Sequence, residues 1–173
     1  MVKFLTVIAL YGIFASSLRA ADDQGGCAFC SQAVLDKQTF YETPLARALY
    51  THKPIFPGHS LIIPKRHVEV FDALSSKEMV EMFEVIKEVD RAVKASFGVK
   101  AYLLLQKNGT ECGQSVPHVH FHYIPREEGD DSIIKFIARL VYFNWRRPIE
   151  DEELAAAVMR LKGAMNKSEE HAL

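Results

Sequence analysis

A row of three histidines at alternate positions constrains this chain more than any other feature. Residues 118–122 read His-Val-His-Phe-His, in a chain that holds seven histidines in all. Successive side chains of a β-strand point to opposite faces. The pattern therefore predicts a strand over residues 116–124 that presents three imidazoles on one face, namely His118, His120 and His122. Three neutral bases beside a glycine-bearing turn indicate phosphate chemistry or a metal site.

The composition indicates one globular domain without a charged surface of one sign. The 173 residues are 49% hydrophobic and 25% charged, values that are ordinary for a domain with its own core. The formal net charge is -1, so no overall field attracts nucleic acid or anionic lipid. We therefore expect no nucleic-acid partner, and an anionic ligand must be held by local groups.

The first twenty residues resemble a secretory signal peptide. Lys3 precedes an apolar run over residues 4–15, and small residues follow it. We expect cleavage before Ala21, which makes residues 1–20 the leader, places the protein in the periplasm or outside the cell, and leaves no stable membrane association. An uncleaved anchor and a wrongly assigned start in a cytoplasmic protein are the alternatives, and N-terminal sequencing of the cell-made protein distinguishes them.

The remaining pattern predicts one α+β domain over residues 21–166. Short apolar runs predict strands at residues 39–42, 46–51, 60–64 and 101–106. Ser75 and Glu78 form a Ser-x-x-Glu capping box, which predicts a long helix that ends at Gly98. Its apolar stripe is Met79, Met82, Phe83, Ile86, Val89, Val93 and Phe97.

A second helix is predicted near the C-terminus. Residues 150–153 are acidic, which suits the positive end of a helix dipole. The apolar stripe that follows is Leu154, Val158, Leu161 and Met165. We expect residues 167–173 to form a disordered tail, and the pattern of residues 132–145 does not decide their secondary structure.

The histidine row suits nucleophilic attack on phosphorus. A neutral imidazole is available near neutral pH, and attack splits a difficult hydrolysis into two easier steps through a covalent intermediate. His120, in the middle of the row, is best placed to attack. The turn before it would supply the Ser115 hydroxyl and the backbone amides of residues 113–116 to phosphate oxygens.

A catalytic metal held by all three histidines is a weaker alternative. Three alternate strand positions span roughly 13 Å. That distance is too long for bonds of about 2.1 Å to one ion. This distance disfavours a single metal shared by the three imidazoles.

Two segments carry a resemblance to a known family. Residues 113–122 read Gly-Gln-Ser-Val-Pro-His-Val-His-Phe-His, residues 53–64 contain Pro-Gly-His, and Pro125-Arg126 follows. Together they resemble the signature of the histidine triad (HIT) superfamily of nucleotide hydrolases and transferases over about residues 27–126. The resemblance includes the fragile-histidine-triad dinucleoside polyphosphate hydrolases. It implies a five-stranded antiparallel sheet with one long helix and a C-terminal helix, and a homodimer that the mass of the protein in solution can test.

The resemblance also implies roles for individual residues. His120 matches the nucleophile that becomes nucleotidylated, with no catalytic metal or organic cofactor required. His122 and Ser115 match groups that contact the phosphates and assist the leaving group, and His59 matches an additional histidine behind the triad. The matched nucleotide- and phosphate-binding positions are Thr51, Lys107, Asn108, Gly113, Gln114, Ser115, Val116 and His122.

Two of these positions depart from the family pattern. Thr51 stands where many members have Asp or Asn against the ribose, and Lys107 stands where many have Asn or Gln. A threonine makes fewer hydrogen bonds to a ribose, whereas a lysine adds positive charge near a polyphosphate. The departures leave the nucleotide and the leaving group undetermined, and they do not affect the chemistry expected of His120.

A structural zinc site is implied by the bacterial zinc-containing branch of the same family. There, two cysteines, the histidine of a Pro-Lys-x-His segment and the first triad histidine hold the ion. The matching residues here are Cys27, Cys30, His67 and His118, a closed Cys2His2 set. A Cys27–Cys30 disulfide and free thiols are the alternatives.

Two other functions are compatible with the sequence. One is a nucleotide-binding signalling module with little turnover, since the same residues would bind and react. The other is an exported thiol–disulfide protein that uses Cys27 and Cys30. The second is weaker because no thioredoxin-like βαβ pattern surrounds the cysteine pair.

Overall fold

One antiparallel sheet organises the part of the chain that the structure describes. The computed structural model describes residues 26–127, 129, 132–145 and 147–170. The strands are β1 (Thr39–Glu42), β2 (Ala46–Tyr50), β3 (Ser60–Pro64), β4 (Ala101–Gln106) and β5 (Phe121–Arg126). The helices are α1 (Gln32–Gln38), α2 (Ser76–Phe97), α3 (Ile133–Trp145) and α4 (Asp151–Glu170). The spatial order is β1-β2-β3-β5-β4, which confirms the predicted α+β fold.

The two faces of the central strands are buried against different elements. On β2, Ala48 and Tyr50 join the core formed with α2 and α4, whereas Leu49 points into a second cluster. On β3, Ile62 joins the first core and Ile63 the second. The second cluster lies under the N-terminal arm, so this arm is held over the face of the sheet that α2 does not cover.

Helix α2 begins and ends as its sequence predicts. The Ser75 hydroxyl accepts a hydrogen bond from the Glu78 amide, and the Glu78 carboxylate accepts one from the Ser75 amide. Gly98 ends the helix in the left-handed conformation, with φ 70°. The Glu78 carboxylate also receives two hydrogen bonds from the Arg66 guanidinium at 2.8 and 2.9 Å, which ties the start of α2 to the end of β3.

The prediction of a buried stripe on α2 is wrong for one residue. Phe83 is 46% exposed, and its ring meets Phe121 edge-on at the margin of the core. Val85 and Ala92 are buried in its place. The reason is geometric, because the buried stripe advances by three or four residues from Met82 and leaves Phe83 about 100° away around the helix axis.

The two ends of the predicted domain differ in what the structure describes. The predicted leader, residues 1–20, lies outside the described residues. Helix α4 continues through residues 167–170 into the segment predicted as a tail, since no proline or glycine interrupts it there, and residues 171–173 lie outside the description. Its predicted stripe is confirmed by the burial of Leu154, Val158, Leu161 and Met165. Within the described ranges, no helix has both the length and the apolar character that crossing a membrane requires.

The histidine strand is shorter than predicted. β5 begins at Phe121 rather than at Val116, so His118 and His120 precede the strand and His122 lies within it. Pro117 has no N–H to donate to a ladder. The next two amides donate elsewhere, from His118 to the Val116 carbonyl at 2.8 Å and from Val119 to the Val68 carbonyl at 2.6 Å.

The side chains of residues 118–122 still alternate between the two faces of the sheet, although β5 begins later than predicted. Val119 and Phe121 are buried in the core with α2. On the other side, the rings of His118 and His120 meet the Phe29 ring of the N-terminal arm, with centroids 5.9 and 5.2 Å apart. The three histidines therefore lie on the face that carries the N-terminal arm.

Helix α3 lies within residues 132–145, whose secondary structure the sequence pattern did not decide. Phe136 is buried with Phe56 and Ile124. The Arg126 guanidinium lies over the Phe136 ring at 4.2 Å, and the Arg139 guanidinium over the Phe56 ring at 4.4 Å. These contacts hold α3 against the end of β5 and the segment before β3.

We expect Gly58→Ala to destabilise the fold more than Gly98→Ala. Both glycines have positive φ, but a Cβ at Gly58 would lie 2.7 Å from Cγ1 of Val93, whereas a Cβ at Gly98 meets nothing within 4 Å. Strain and overpacking together should lower the free energy of unfolding by about 3 kcal/mol at Gly58, against about 1 kcal/mol at Gly98. Urea titration of both variants measures this, and equal losses would contradict the close packing around Gly58.

Candidate functional site

The hydrogen bonds of His59 determine the protonation of His122. The Ile55 amide donates to Nδ1 of His59 at 3.2 Å, so the proton of the neutral His59 ring lies on Nε2. This Nε2–H faces Nδ1 of His122 at 3.0 Å and donates to it. The neutral His122 ring therefore carries its proton on Nε2, where it can donate to a ligand.

Burial keeps this pair neutral. It lowers the pKa of His59 to about 3, with a smaller contribution from His120. It lowers the pKa of His122 to about 2, assisted by His59, His120 and the Lys107 ammonium. This pair thus presents a neutral donor and a neutral acceptor at neutral pH.

His120 is fixed as the opposite tautomer. Its Nδ1–H donates to the backbone carbonyl of His118 at 2.7 Å, so the neutral ring has its free lone pair on Nε2. Burial lowers the pKa of His120, whereas this hydrogen bond opposes the shift. Its ring centroid lies 4.9 Å from that of His122. The two adjacent rings therefore offer a nucleophilic nitrogen and an N–H donor.

The loop between β4 and β5 is braced by the buried side chain of Gln114. Its Nε2 donates to the carbonyls of Glu69 and Val116 at 2.9 and 3.1 Å, and its Oε1 accepts from the Gly109 amide at 2.7 Å. The side chain thereby connects the loop to the segment that carries His67. Gln114 was predicted for its backbone amide, yet all three of these hydrogen bonds are made by its carboxamide.

The four loop amides predicted to bind phosphate fall into two pairs. Those of Gly113 and Gln114 donate within the loop, to the carbonyls of Thr110 at 2.9 Å and Gly109 at 3.2 Å. The backbone amides of Ser115 and Val116 have no hydrogen-bond acceptor among the described residues. Ser115 is also exposed. The second pair is therefore the one free to meet an anion.

The remaining predicted binding residues have defined positions. Thr51 is buried, and its hydroxyl oxygen accepts from the Lys53 amide at 3.3 Å. Asn108 is exposed, and its Oδ1 accepts from the Phe71 amide at 2.7 Å. The Lys107 ammonium donates to the Gly113 carbonyl at 3.3 Å, which holds a positive charge against the loop.

Four residues predicted as metal ligands converge on one point. The ligand atoms of Cys27, Cys30, His67 and His118 all lie within 4.8 Å of one another. Sγ of Cys27 is 3.5 Å from Nδ1 of His118, and Sγ of Cys30 is 3.4 and 3.7 Å from Nδ1 of His67 and His118. A tetrahedral zinc ion with Zn–S and Zn–N bonds of about 2.3 and 2.05 Å needs S···N separations of about 3.6 Å. The residues present therefore fit zinc, and both cysteines are free rather than disulfide-bonded.

The other nitrogens of the two histidines support this assignment. Nε2–H of His118 donates to the Pro64 carbonyl at 3.0 Å, which leaves the lone pair of Nδ1 facing the sulfurs. Nε2 of His67 lies 3.6 Å from the Glu69 carboxylate. Metal-bound histidines are commonly oriented by such carbonyl and carboxylate partners.

Two contributors to the site were missed from the sequence. Phe29 contacts the rings of both His118 and His120, and its place between the two cysteines was an available signal. The Pro64 carbonyl, which orients His118, is a backbone group, so no residue type could have indicated it.

Comparison with known proteins identifies relatives of the chain. Residues 32–129 match the family model described as the HIT domain. The Bis(5'-nucleosyl)-tetraphosphatase (asymmetrical) of Schizosaccharomyces pombe is 36% identical over 104 residues, which cover 60% of this chain and 57% of that protein. The bifunctional bis(5'-adenosyl)-triphosphatase/adenylylsulfatase of Arabidopsis thaliana is 32% identical over 103 residues, with the same coverages of 60% and 57%. The chain therefore spans little more than half the length of these relatives.

A solved structure has the same fold. The zinc-bound histidine triad family protein from Mycobacterium smegmatis superposes with a TM-score of 0.65 and 22% identity, over 84% of this chain and 97% of that one. At this identity the likeness concerns the fold alone.

We expect acid to destabilise the protein partly through His59. Its pKa is lowered from 6.5 to about 3, so between these values the unfolded chain binds a proton that the folded chain does not. The contribution of His59 to stability is complete above about pH 6.5 and is lost as the pH falls, at about 1.4 kcal/mol per pH unit.

Comparison with His59→Gln isolates this effect. A glutamine can accept from the Ile55 amide and donate to His122, but it does not titrate. Denaturant titrations from about pH 7 to pH 4 should therefore show a shallower loss of stability in the variant. Equal slopes in the two proteins would contradict a neutral, buried His59.

Proposed function

This chain belongs to the HIT domain family, and we propose that it cleaves nucleotide phosphoanhydride, ester or phosphoramidate bonds through a covalent nucleotidyl intermediate on His120. The observation that carries the proposal is the 2.7 Å hydrogen bond from Nδ1–H of His120 to the His118 carbonyl. It leaves Nε2 unprotonated without help from a general base. An imidazole held in this way is a ready nucleophile toward phosphorus.

In the first step, Nε2 of His120 attacks the phosphorus of the nucleotide. A P–N bond forms, the bond to the leaving oxygen or nitrogen breaks, and its electron pair departs with the leaving group; a leaving nitrogen also takes up a proton supplied by water and departs as the neutral amine. The Nε2–H of His122 and the Ser115 hydroxyl donate hydrogen bonds to the leaving atom and the phosphate oxygens as charge develops there. His120 then carries positive charge, which its Nδ1–H shares with the His118 carbonyl.

In the second step, water attacks the same phosphorus. The new P–O bond replaces the P–N bond, whose electrons return to Nε2, and the proton of the water leaves to solvent. His120 is then neutral again in its original tautomer. A different nucleophile in place of water would make the reaction a transfer.

The substrate class follows from charge and from the relatives. The Ser115 and Val116 amides and the Lys107 ammonium suit a chain of several phosphates. The two relatives named above act, by their names, on dinucleoside tetraphosphates and diadenosine triphosphates. We therefore propose a dinucleoside polyphosphate or nucleoside phosphoramidate as substrate.

We expect His120→Ala to lower turnover of diadenosine polyphosphates by at least about 10⁴-fold, because no other neutral nitrogen takes the place of its Nε2. Quenching in alkaline denaturant during turnover, which preserves the acid-labile P–N bond, should trap one nucleotide on the wild-type chain, and mass spectrometry of peptides prepared at alkaline pH should place it on His120. The variant His52→Ala, which removes an exposed histidine, serves as the control and should react normally. Full turnover by His120→Ala would exclude this mechanism.

We also propose that Cys27, Cys30, His67 and His118 hold one structural zinc ion. The supporting observations are the S···N separations of 3.4–3.7 Å and the orienting partners of both histidines. With four protein ligands the ion has no open position, so it stabilises the fold and supplies no catalytic chemistry. The same geometry favours zinc over a thiol–disulfide function, since both sulfurs and two imidazole nitrogens converge as one closed set of four ligands.

We expect the purified protein to contain one zinc ion per chain. Cys30→Ser should lose it, with a fall of about 4 kcal/mol in stability at saturating zinc and of about 10 °C in Tm. Cys112→Ser removes an exposed cysteine outside the cluster and should keep both zinc and Tm. Metal analysis and calorimetry measure the two quantities, and wild-type protein without zinc but with a Cys27–Cys30 disulfide would overturn the assignment.

A further inference from the structure

A cavity of about 220 Å³ lies beside His122, between the sheet and α3. Leu105 of β4 and Ile124 of β5 line its floor. Ile137 and Val141 of α3 line its opposite wall. His122 belongs to the proposed catalytic site, so the cavity adjoins the place where the leaving group departs.

The wall formed by α3 is held by packing that directly adjoins the cavity. Phe136 is buried against Phe56 and Ile124, and Leu140 packs against the same cluster. The cation–π contact of Arg126 with the Phe136 ring adds a second attachment. The cavity therefore has a preformed wall on the side away from the sheet.

The lining has two polar side chains, and the rest of it is aliphatic. The polar groups are the Lys107 ammonium and His122, whose tautomer places a proton on Nε2. A cation and an N–H donor suit an anionic phosphate or a developing negative charge. The aliphatic walls suit an apolar group and offer no hydrogen bonds with which to read the edge of a nucleobase.

We propose that this cavity is a leaving-group subsite, which binds an apolar or aromatic group attached to the departing phosphate or amine. The proposal rests on the proposed function, since it deepens the account of the same site. The subsite selects its occupant by shape and hydrophobicity rather than by hydrogen bonding. The departing half of the substrate can therefore vary in identity, provided that an apolar ring lies close to the bond that breaks.

Binding of small phosphates tests the subsite without turnover. We expect 2-phenylethyl phosphate to bind the full-length protein about 10-fold more tightly than ethyl phosphate in isothermal titration calorimetry, because its ring leaves water for the cavity. Equal affinities would overturn the proposal.

Matched variants on α3 locate the binding. Ile137→Ser combined with Val141→Ser removes two wall residues, and it should reduce the preference to about 2-fold. Ile134→Ser is the control, because Ile134 is 77% exposed on the same helix and does not line the cavity. A preference that the double variant retains in full would overturn the proposal, and circular dichroism shows whether α3 remains folded.

Measurements of turnover distinguish a failure of the subsite from a failure of the proposed mechanism on which it rests. Adenosine 5'-phosphoramidates of 2-phenylethylamine and ethylamine share one nucleotide and differ in the leaving amine, and kcat/KM should favour the first by about 10-fold. Equal kcat/KM values with a His120-dependent reaction would reject the subsite alone. A 10-fold binding preference together with full turnover by His120→Ala would reject the mechanism and retain the subsite.

Discussion

The site depends on His118, which is bonded in three directions at once. Its Nε2–H is held by the Pro64 carbonyl at the end of β3, and its Nδ1 faces the two cysteines of the N-terminal arm. Its own carbonyl accepts a hydrogen bond from Nδ1–H of His120. The residue therefore joins the arm, the sheet and the proposed nucleophile. Because the last of these bonds uses a backbone oxygen, the tautomer of His120 follows from the path of the chain rather than from a neighbouring side chain.

Local signals in the sequence predicted more of this structure than long-range ones could. The capping box of Ser75 and the stripe of α4 depend on residues three or four apart, and both are confirmed. The start of β5 depends on a hydrogen bond between Val119 and Val68, which are distant in sequence, so the alternating pattern alone placed it too early. The four metal-ligand residues were found by family resemblance, since the pattern of one strand says nothing about the arm that covers it.

The electrostatics of the site combine neutral rings with one attached cation. Burial keeps His59 and His122 uncharged, so these rings contribute directed hydrogen bonds rather than positive charge. The Lys107 ammonium is tied to the Gly113 carbonyl, and it lowers the pKa of His120 as well. Thr51 makes no comparable contribution, because its buried hydroxyl is engaged by the Lys53 amide. The two departures from the family pattern thus have different effects. Lys107 adds a positive charge to the site, whereas Thr51 stabilises a turn.

The separation of the four cysteine and histidine ligands along the chain has a consequence for oxidation. Cys27 and His118 are 91 positions apart, so an ion bound between them closes a very long loop. A disulfide between Cys27 and Cys30 would close a loop of only four residues. By loop-closure entropy the long loop restrains the unfolded chain by about 3 kcal/mol more than the short one. An oxidant that joined the two sulfurs would thus replace a long-range crosslink with a local one. The N-terminal arm would then lose its link to His118, whose carbonyl orients the proposed nucleophile His120.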